Sequence, residues 1–540
     1  MAARLAAAAR PPVAAEAVAR APVAAGAVGR RPAEVAPVPE VNDPARLRTV
    51  NRLTLLWVLT AFVLLLILGL AGLTMRGIQS GLLGGLAFPW FYPILTFHGI
   101  GMVALVVLTM LAGCWWLFAQ RLPMSPRIWA TCYAFTVLAV VLLIISTFVG
   151  KFGTGWTFLY PLPYDSAGAW PVWSFVLFLL AVTIVVVELL VIDLEFLYRG
   201  WKHYGSLARM YGLEYLTDPH PKDDGRPRTD LPTIAMTTTS LTWIPAALLG
   251  AVLVVLELIQ AFDPSFSFSA LLAKNLTFFA GHMLVNIGLY MGAGLLYAIL
   301  PAYTHRPWNV ARYAVIGWLA TTVALWFAFY HHLYQDFAQP DSVQVIGEIF
   351  SYISAMPALV VSLLGGVLLV WRSGIRWTPA AIFMYVGMSG WAIGGTGAIM
   401  DSTAGINQFM HNTLWVPGHF HGIMATGVMM FFLGTMYHVF PAIAGGRTLS
   451  DRIGRWAAGF ITVGGYTVVL IFFLSGVASE PRRYAVQLPG TQWLAGVGLI
   501  GAILVGIGGL MIGADLLRAL RQPATAPAPE TRREPEPAPA

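Results

Sequence analysis

Charged residues are scarce in this sequence. They make up 11% of its 540 residues, while hydrophobic residues make up 58%. The mean hydropathy is +0.72. Soluble domains carry roughly a quarter charged residues, so the composition excludes a water-soluble globular enzyme. Long apolar runs recur along most of the chain and predict a helical protein that crosses a membrane several times. The runs lack the alternation of a membrane β-barrel, which is therefore excluded as well.

Cysteine is nearly absent too. The two cysteines, Cys114 and Cys132, both lie within apolar runs. Their small number and their position exclude a disulfide scaffold, an iron–sulfur site and a cysteine-based zinc site. The formal net charge is +7. We attribute this charge to membrane topology and expect no nucleic-acid partner.

Two tails flank a predicted membrane domain. Residues 1–48 and 522–540 are rich in Ala and Pro, which predicts disordered tails around a domain of residues 49–521. The first tail lacks the compact apolar core of a signal peptide, so we expect no cleavage there. Each predicted helix of the domain can cross a hydrocarbon core of about 30 Å. The twelve predicted helices are 52–75, 91–119, 127–149, 168–198, 233–262, 270–303, 312–338, 345–371, 378–400, 412–441, 455–478 and 491–519.

Arginine and lysine concentrate in every second loop. These loops carry Arg121, Arg127, Arg199, Lys202, Arg209, Lys222, Arg226, Arg228, Arg306, Arg312, Arg372, Arg376, Arg447, Arg452 and Arg455. The opposite loops carry few cations, chiefly Arg76, Lys151, Lys274, Arg482 and Arg483. The positive-inside rule therefore predicts a multi-pass protein of the cytoplasmic membrane with both termini in the cytoplasm.

Several histidines fall inside predicted helices, where an imidazole is costly and usually functional. Counting along each helix places all of them at a similar depth in the outer half of the membrane. A bundle can bring such residues together into one metal-binding layer. The alternative is a set of separate hydrogen bonds between helices. The histidines are His98, His282, His331, His332, His419 and His421, with His411 just before a helix.

The spacing of these histidines separates their roles. His419 and His421 point about 200° apart around their helix, so they can ligate two different haems. His331 and His332 are about 100° apart and can bracket one metal. His282 can supply a third imidazole from the neighbouring helix. Ligation by imidazole alone suits copper, iron or zinc.

This constellation resembles subunit I of the haem–copper oxidase superfamily. The resemblance covers the twelve helices and rests on HNTLWVPGHFHG at 411–422, HH at 331–332, FHG at 97–99 and PRRY at 481–484. HNTLWVPGHFH and HHLYQDFAQP are most similar to its B-type branch. The resemblance implies an all-α, twelve-helix transmembrane bundle that carries one low-spin haem, one high-spin haem and one non-haem metal, copper or iron.

The resemblance also implies ligand sets. His98 and His421 would hold the low-spin haem, and His419 the high-spin haem. His282, His331 and His332 would hold the second metal. Arg482, Arg483 and His411 resemble residues beside the haem propionates, although an ordinary loop role remains open for each of them.

One departure bears on the substrate. Oxygen-reducing B-type enzymes have a tyrosine four residues after the histidine of the sixth helix, whereas this chain has Asn286 there. In that family the tyrosine supplies one of the four electrons that cleave oxygen in one step, and an amide cannot supply it. Reducing two molecules of nitric oxide (NO) to nitrous oxide and water takes two electrons and two protons. Nitric oxide reductases of the superfamily also lack the tyrosine, so we expect a gas reductase that acts on NO.

Two alternatives stay open. Tyr290 or Tyr330 could replace the missing tyrosine, which would make the protein a terminal oxygen reductase. A twelve-helix secondary transporter is the second alternative, although no inverted repeat is evident. A redox enzyme would need an external electron donor, because the chain has no Cys-x-x-Cys-His motif and no cysteine pair for a dinuclear copper centre. A second subunit, a soluble cytochrome or cupredoxin, or quinol could serve.

The proton route departs from the B-type pattern as well. The B-type polar ladder corresponds here to Ala293, Ala358 and Val361, with only Tyr297 kept. Membrane carboxylates remain at Glu188, Asp193, Glu257 and Glu348. We expect Glu348, on the helix that faces the His331–His332 pair, to carry protons for the site. A carboxylate at the outer interface is the equal alternative.

Overall fold

The computed structural model describes residues 41, 43–155, 160–219, 221, 224–336 and 338–524. Within these residues twelve helices are long and apolar enough to cross a membrane. We label them α1 to α12. They are Pro44–Gln79, Gly84–Ala119, Pro126–Val149, Val172–Tyr204, Leu231–Phe262, Ala270–Thr304, Arg312–Leu333, Ser342–Val370, Pro379–Ser402, Trp415–Ile443, Asp451–Val477 and Gln492–Leu520. Every predicted helix is present, and the all-α fold is confirmed.

The first helix starts earlier than the sequence indicated. Asp43 caps it by accepting hydrogen bonds from the backbone N–H groups of Ala45 and Arg46, and Pro44 occupies the first turn. Residues 44–48, which we assigned to the disordered tail, are therefore helical. The rest of that tail, apart from residues 41 and 43, lies outside the described residues, as does the second tail from residue 525 onward.

Lipid-facing and buried surfaces divide among the helices. Helices α2, α6 and α10 run through the centre of the bundle, with over 70% of their most apolar stretch buried. Large apolar side chains such as Leu70, Leu368 and Leu510 are exposed on outer helices, where lipid takes the place of water. The predicted histidines therefore lie mostly on the helices that are most enclosed.

Two local features position α10. Gly394 of α9 and Gly422 of α10 touch backbone to backbone, and a Cβ on Gly422 would lie 2.7 Å from the Gly394 Cα. Only glycine allows this approach. A π-turn at Met424–Val428 then widens α10 immediately after its histidines, a distortion that is common at functional sites.

A short pairing fixes the outer loops. Thr413 and Pro481 form an antiparallel bridge, the only strand-like pairing in the described residues. The Arg482 N–H donates to the Asn412 carbonyl (2.9 Å), and the Leu414 N–H donates to the Glu480 carbonyl (2.8 Å). The segment before α10 is thereby tied to the segment after α11.

Candidate haem and metal site

One large cavity connects the predicted site residues. Its volume is about 850 Å³, and it lies between the central helices at the level of the histidines. All six membrane histidines line it, together with Asn286, Arg482 and Arg483. The structure therefore brings together residues from α2, α6, α7 and α10, as the shared depth predicted.

His98 and His421 form a pair across this cavity. Their ring centroids lie 6.4 Å apart, and their ring planes differ by 12°. The Nδ1 atom of His98 bonds the Leu68 carbonyl (2.8 Å), and that of His421 bonds the Pro417 carbonyl (2.7 Å). With Nδ1 engaged, Nε2 is the atom left for a metal on each ring. A metal–imidazole bond is about 2 Å, so the spacing suits one metal between the two rings.

The second cluster consists of His282, His331 and His332. Ligand atoms of the three residues lie within 4.8 Å of one another. His282 is nearly perpendicular to both partners, with ring centroids 5.0 Å and 5.4 Å away. The adjacent pair sits on a 3₁₀ turn at the end of α7, not on the longer α-helix that the sequence predicted. This geometry can hold one metal ion on three imidazoles.

His419 and His421 serve different sides of α10. The ring of His421 contacts Phe472 of α11 (centroids 4.8 Å apart). His419 lies toward α9, where a Cβ on Gly397 would be 2.9 Å from the His419 Cβ. The predicted divergence of the two side chains is therefore present in the structure.

Ser351 is a site residue that sequence reasoning missed. Its hydroxyl lies 3.0 Å from Nδ1 of His331 and donates to the Ala328 carbonyl (3.2 Å). The hydroxyl oxygen can therefore accept a hydrogen bond from Nδ1–H, which leaves Nε2 of His331 for a metal. Helix α8, which packs beside α7, supplies this contact, and the spacing of residues along the sequence does not predict it.

Arginines gather at the outer end of the cavity. Arg482 and Arg483 follow the short bridge, and both line the cavity. Burial and the neighbouring Arg483 lower the pKa of Arg482 to about 10, and burial also lowers the pKa of Arg483. His411 does not line the cavity; burial, and then the two arginines, lower its pKa to about 4. Two partly buried guanidinium groups at this end of the cavity favour an anionic ligand, while His411 beside them is neutral.

Arg76 adds a further cation. We assigned it to an outer loop, but it is only 4% exposed and lies inside the end of α1. Its guanidinium lies 4.0 Å from the centre of the Phe472 ring and donates to Gln79. Its Nε and Nη2 atoms have no hydrogen-bond partner among the described residues. A buried guanidinium of this kind requires an anion nearby.

Asn286 lines the cavity one turn after His282. Its Nδ2 donates to the His282 carbonyl (2.8 Å), so its Oδ1 is the atom available to a metal or ligand. Tyr290 also lines the cavity, and its ring packs edge-on against Trp318. Tyr330 instead packs against Phe329 and does not line the cavity.

The carboxylates lie away from the cavity wall. Glu348 is half-buried and accepts a hydrogen bond from Tyr352 (3.1 Å), whose hydroxyl also contacts Thr403 (2.6 Å). Glu188 bonds Thr136, and Asp193 bonds Ser240. Glu257 has no hydrogen-bond partner in the described part of the chain. Glu348 is therefore joined to the region of the site through a tyrosine and a threonine.

The residues present fit two haems and one metal ion. His282 has a buried Nδ1 with no partner in the described residues, as a ligand atom would. The His98–His421 pair would suit a haem held by two histidines, and the buried Arg76 with the partly buried Arg482 and Arg483 could meet carboxylates of a macrocycle. When bound, these groups supply electron transfer and gas binding.

Known proteins share this organisation. The family model "Cytochrome C and Quinol oxidase polypeptide I" matches residues 52–504. The chain is 28% identical to cytochrome c oxidase subunit 1 of Thermus thermophilus over 54% of this chain and 56% of that protein, so the alignment spans about half of the relative. It is 24% identical to cytochrome c oxidase subunit 1 of Thermostichus vulcanus over 83% of this chain and 80% of the relative.

A solved structure agrees on the fold. The cryo-EM structure of a heme-copper terminal oxidase dimer has a TM-score of 0.70 with this chain at 17% identity. The match covers 88% of this chain and 85% of the other. At this identity the likeness concerns the fold alone, and that fold is the one predicted from the histidine motifs.

Proposed function

The chain belongs to the cytochrome c and quinol oxidase polypeptide I family, and we propose that its substrate within that family of oxidoreductases is nitric oxide. The reaction is the reduction of two NO to nitrous oxide and water. In this proposal His98 and His421 hold a low-spin haem, and His419 holds a high-spin haem. His282, His331 and His332 hold the second metal, copper or iron.

One observation carries the choice of NO. Asn286 occupies the cavity wall one helical turn from His282, with its Oδ1 free to face a ligand. An amide can bind or orient a ligand, but it gives up neither a hydrogen atom nor an electron at accessible potentials. Two-electron chemistry needs no such donor, whereas one-step cleavage of oxygen does.

The other side chains of the site bind the haem carboxylates or orient a metal ligand. Arg482, Arg483 and Arg76 meet the carboxylates of the haems in charge-assisted pairs, and His411 lies beside them as a neutral group. Ser351 fixes the ring of His331. Glu348, joined to Tyr352 and Thr403, would relay protons on the outer side of the site.

The setting follows from topology. We place the protein in the cytoplasmic membrane with both termini inside, because cationic loops alternate along the chain. Electrons come from a second subunit, from a soluble cytochrome or cupredoxin, or from quinol. The cavity lies nearer the outer face, so a donor on that side has the shorter path.

Oxygen reduction is the second candidate. Its support is specific: the relatives above are named oxidases, and Tyr290 lines the cavity eight residues after His282. In this alternative Tyr290 would donate the fourth electron for the cleavage of oxygen, which Asn286 cannot donate.

The test is steady-state turnover of both gases by the purified protein, with nitrous oxide measured as product. A pyridine haemochrome assay and metal analysis accompany it. We expect two haems and one further metal per chain, rapid NO consumption and slow oxygen consumption. Rapid four-electron oxygen reduction with negligible nitrous oxide would contradict the proposal.

A further inference from the structure

A buried hydroxyl cluster lies below the cavity, on the side of the arginine-rich loops. It consists of Tyr211, Thr238 and Thr322. The Tyr211 hydroxyl is 2.8 Å from the Thr238 hydroxyl and 2.5 Å from that of Thr322, and the two threonines are 3.4 Å apart. The cluster joins a loop to α5 and α7 through side chains alone. We call the face of the protein that carries this loop the arginine-rich face.

The loop between α4 and α5 enters the bundle to place Tyr211 there. Gly212 takes the left-handed conformation (φ 75°), and a Cβ on it would meet Ile234 of α5 and Val315 of α7 at 3.1 and 3.4 Å. The Thr229 hydroxyl holds the loop by donating to the Met210 carbonyl (2.7 Å). Burial raises the pKa of Tyr211 to about 12, so the phenol stays neutral and can both donate and accept.

The cluster meets the cavity at Tyr290. This residue lines the cavity one helical turn after Asn286. Its ring packs edge-on against Trp318, whose carbonyl accepts a hydrogen bond from the Thr322 hydroxyl (2.9 Å). The hydroxyl cluster therefore lies next to the last polar side chain before the cavity.

Thr242 marks the same junction. Gly250 of α5 lies against Ala280 of the antiparallel α6. Counting eight residues back from Gly250 and eight forward from Ala280 places Thr242 level with Gly288, about 3 Å along the axis from Tyr290. Thr242 is fully buried, and its hydroxyl has no partner among the described residues. Buried hydroxyls of this kind are usually satisfied by water.

Two other buried hydroxyls of α5, those of Thr237 and Thr239, lack this arrangement, while Thr233 and Ser240 bond Tyr204 and Asp193. Thr237 and Thr239 each donate to a carbonyl one turn back in their own helix and bond no other side chain in the described structure. On the side of α8, the Tyr297 hydroxyl contacts Ser362 (2.6 Å), but Ala358 occupies the next turn toward the cavity. The path through Tyr297 is therefore interrupted, as the sequence predicted. The Tyr211 cluster reaches the neighbourhood of Tyr290 through Trp318, with the unpartnered Thr242 hydroxyl at the junction.

We propose that protons pass from the arginine-rich face to the cavity through Tyr211, Thr238, Thr322 and Tyr290. The inference rests on the proposed function, since NO reduction consumes two protons for each pair of NO. Each hydroxyl accepts one proton as it releases another, so no side chain keeps a charge. The protons end on the oxygen that leaves as water, and the two electrons come from the external donor. Glu348, Tyr352 and Thr403 offer a separate route from the opposite face.

The sidedness of proton uptake tests the proposal. Purified protein is placed in sealed vesicles with a pH dye trapped inside. A membrane-impermeant electron donor is then added outside the vesicles. It reduces only those protein molecules whose outer face, the one opposite the arginine-rich face, points out of the vesicle. The arginine-rich face of these molecules therefore points into the lumen. We expect the lumen to become alkaline during NO turnover. Tyr211→Phe, Thr238→Val and Thr322→Val each keep the side-chain volume and should slow this uptake roughly tenfold or more.

Thr239→Val is the matched control, because it removes a buried hydroxyl at the same depth that bonds only its own helix. It should leave lumenal uptake unchanged, and haem spectra should be unchanged in all four variants. A merely structural role of Tyr211 would lower thermal stability without slowing uptake by the folded protein. Wild-type rates in the three relay variants would overturn the proposal.

Two further outcomes separate the relay from the proposed function. If the wild-type protein reduces NO but removes protons only from the external face, the relay is wrong and the function stands. If the wild-type protein consumes oxygen and not NO, the function is wrong, and the same dye measurement with oxygen still decides the relay. Absence of lumenal uptake with either gas overturns the relay.

Discussion

The imidazoles of His98 and His421 lie 6.4 Å apart with ring planes only 12° from parallel, although one ring belongs to α2 and the other to α10. Each Nδ1 is held by a backbone carbonyl, at Leu68 and Pro417. These contacts fix the orientation of both rings and leave each Nε2 for a metal. The arrangement supports the proposal that the two histidines hold one low-spin haem.

The first prediction separates the two histidines of α10. His421→Ala should remove the low-spin haem signal and keep the high-spin one, whereas His419→Ala should do the reverse, because the two side chains diverge. Optical and electron paramagnetic resonance spectra of the purified variants measure this. Loss of both signals from either variant, in a protein that is still folded, would refute the assignment.

The second prediction concerns the outer arginines. Replacing Arg482 and Arg483 together with Gln should lower the haem potentials by tens of millivolts, because nearby positive charge favours the reduced haem. Haem occupancy should largely survive, since the axial histidines are untouched. Redox titration of both haems measures this. Unchanged potentials would show that Arg482 and Arg483 are ordinary loop residues.

Ser351 carries the third prediction. Ser351→Ala removes the hydroxyl that bonds Nδ1 of His331, so affinity for the second metal should fall roughly 10- to 100-fold while both haems remain. Ser354→Ala is the control, because Ser354 lines the same cavity but donates to the Ser351 carbonyl. Metal titration of the two variants distinguishes them; equal affinities would show that Ser351 does not orient the ring.

The fourth prediction concerns pH. The pKa of His411 is lowered to about 4, by burial first and then by the two arginines. The folded protein therefore holds a neutral imidazole there above this value, and protonation on acidification would cost stability. Between pH 5 and 8 its charge should not change, so His411→Gln should leave the pH dependence of the haem potentials unaltered in that window. If the haem potentials vary with pH between 5 and 8 in the wild-type protein but not in His411→Gln, His411 titrates in that range.

Sequence alone predicts much of this site, and the reason is the membrane. A membrane sets the length of each helix and makes every buried imidazole expensive, so the depth of His98, His282 and His419 can be counted from the nearest loop. The contacts that a residue makes with neighbouring helices cannot be derived from its depth in this way. The contacts of Ser351 with α7 and of Tyr211 with α5 and α7 depend on which helices pack together, so only the structure shows them.

Arg76 is a further residue whose contacts with neighbouring helices could not be predicted from the sequence. Its place at the end of an apolar run looks like that of a loop cation, and the fold buries it against Phe472 instead. The boundary at residues 44–48 was missed because Pro44 looks like part of a Pro-rich tail, although proline is favoured in the first turn of a helix.

The last prediction returns to Asn286, which decides between the two gases. One N–H of its Nδ2 is donated to the His282 carbonyl, so Oδ1 is the atom that can bind a metal. Asn286→Asp keeps an oxygen at that place and should retain part of the NO activity. Asn286→Leu has similar volume but no polar atom, and it should lose most NO activity while both haem spectra persist.

Restoring the tyrosine should not restore oxygen chemistry. In Asn286→Tyr the new phenol would have to be supplied with protons, and Ala293, Ala358 and Val361 offer no hydroxyl along the path through Tyr297. The relay through Tyr290 ends one turn away, and the hydrogen bond that Asn286 makes in the described structure is to the His282 carbonyl, not to Tyr290. We therefore expect the relay to serve a bound gas and not a phenol at position 286, so oxygen turnover should be slow both in Asn286→Tyr and in Asn286→Tyr combined with Tyr290→Phe. Fast oxygen reduction by Asn286→Tyr that is lost on adding Tyr290→Phe would show that the relay can feed a phenol, and fast reduction by wild-type protein would make Tyr290 itself the donor.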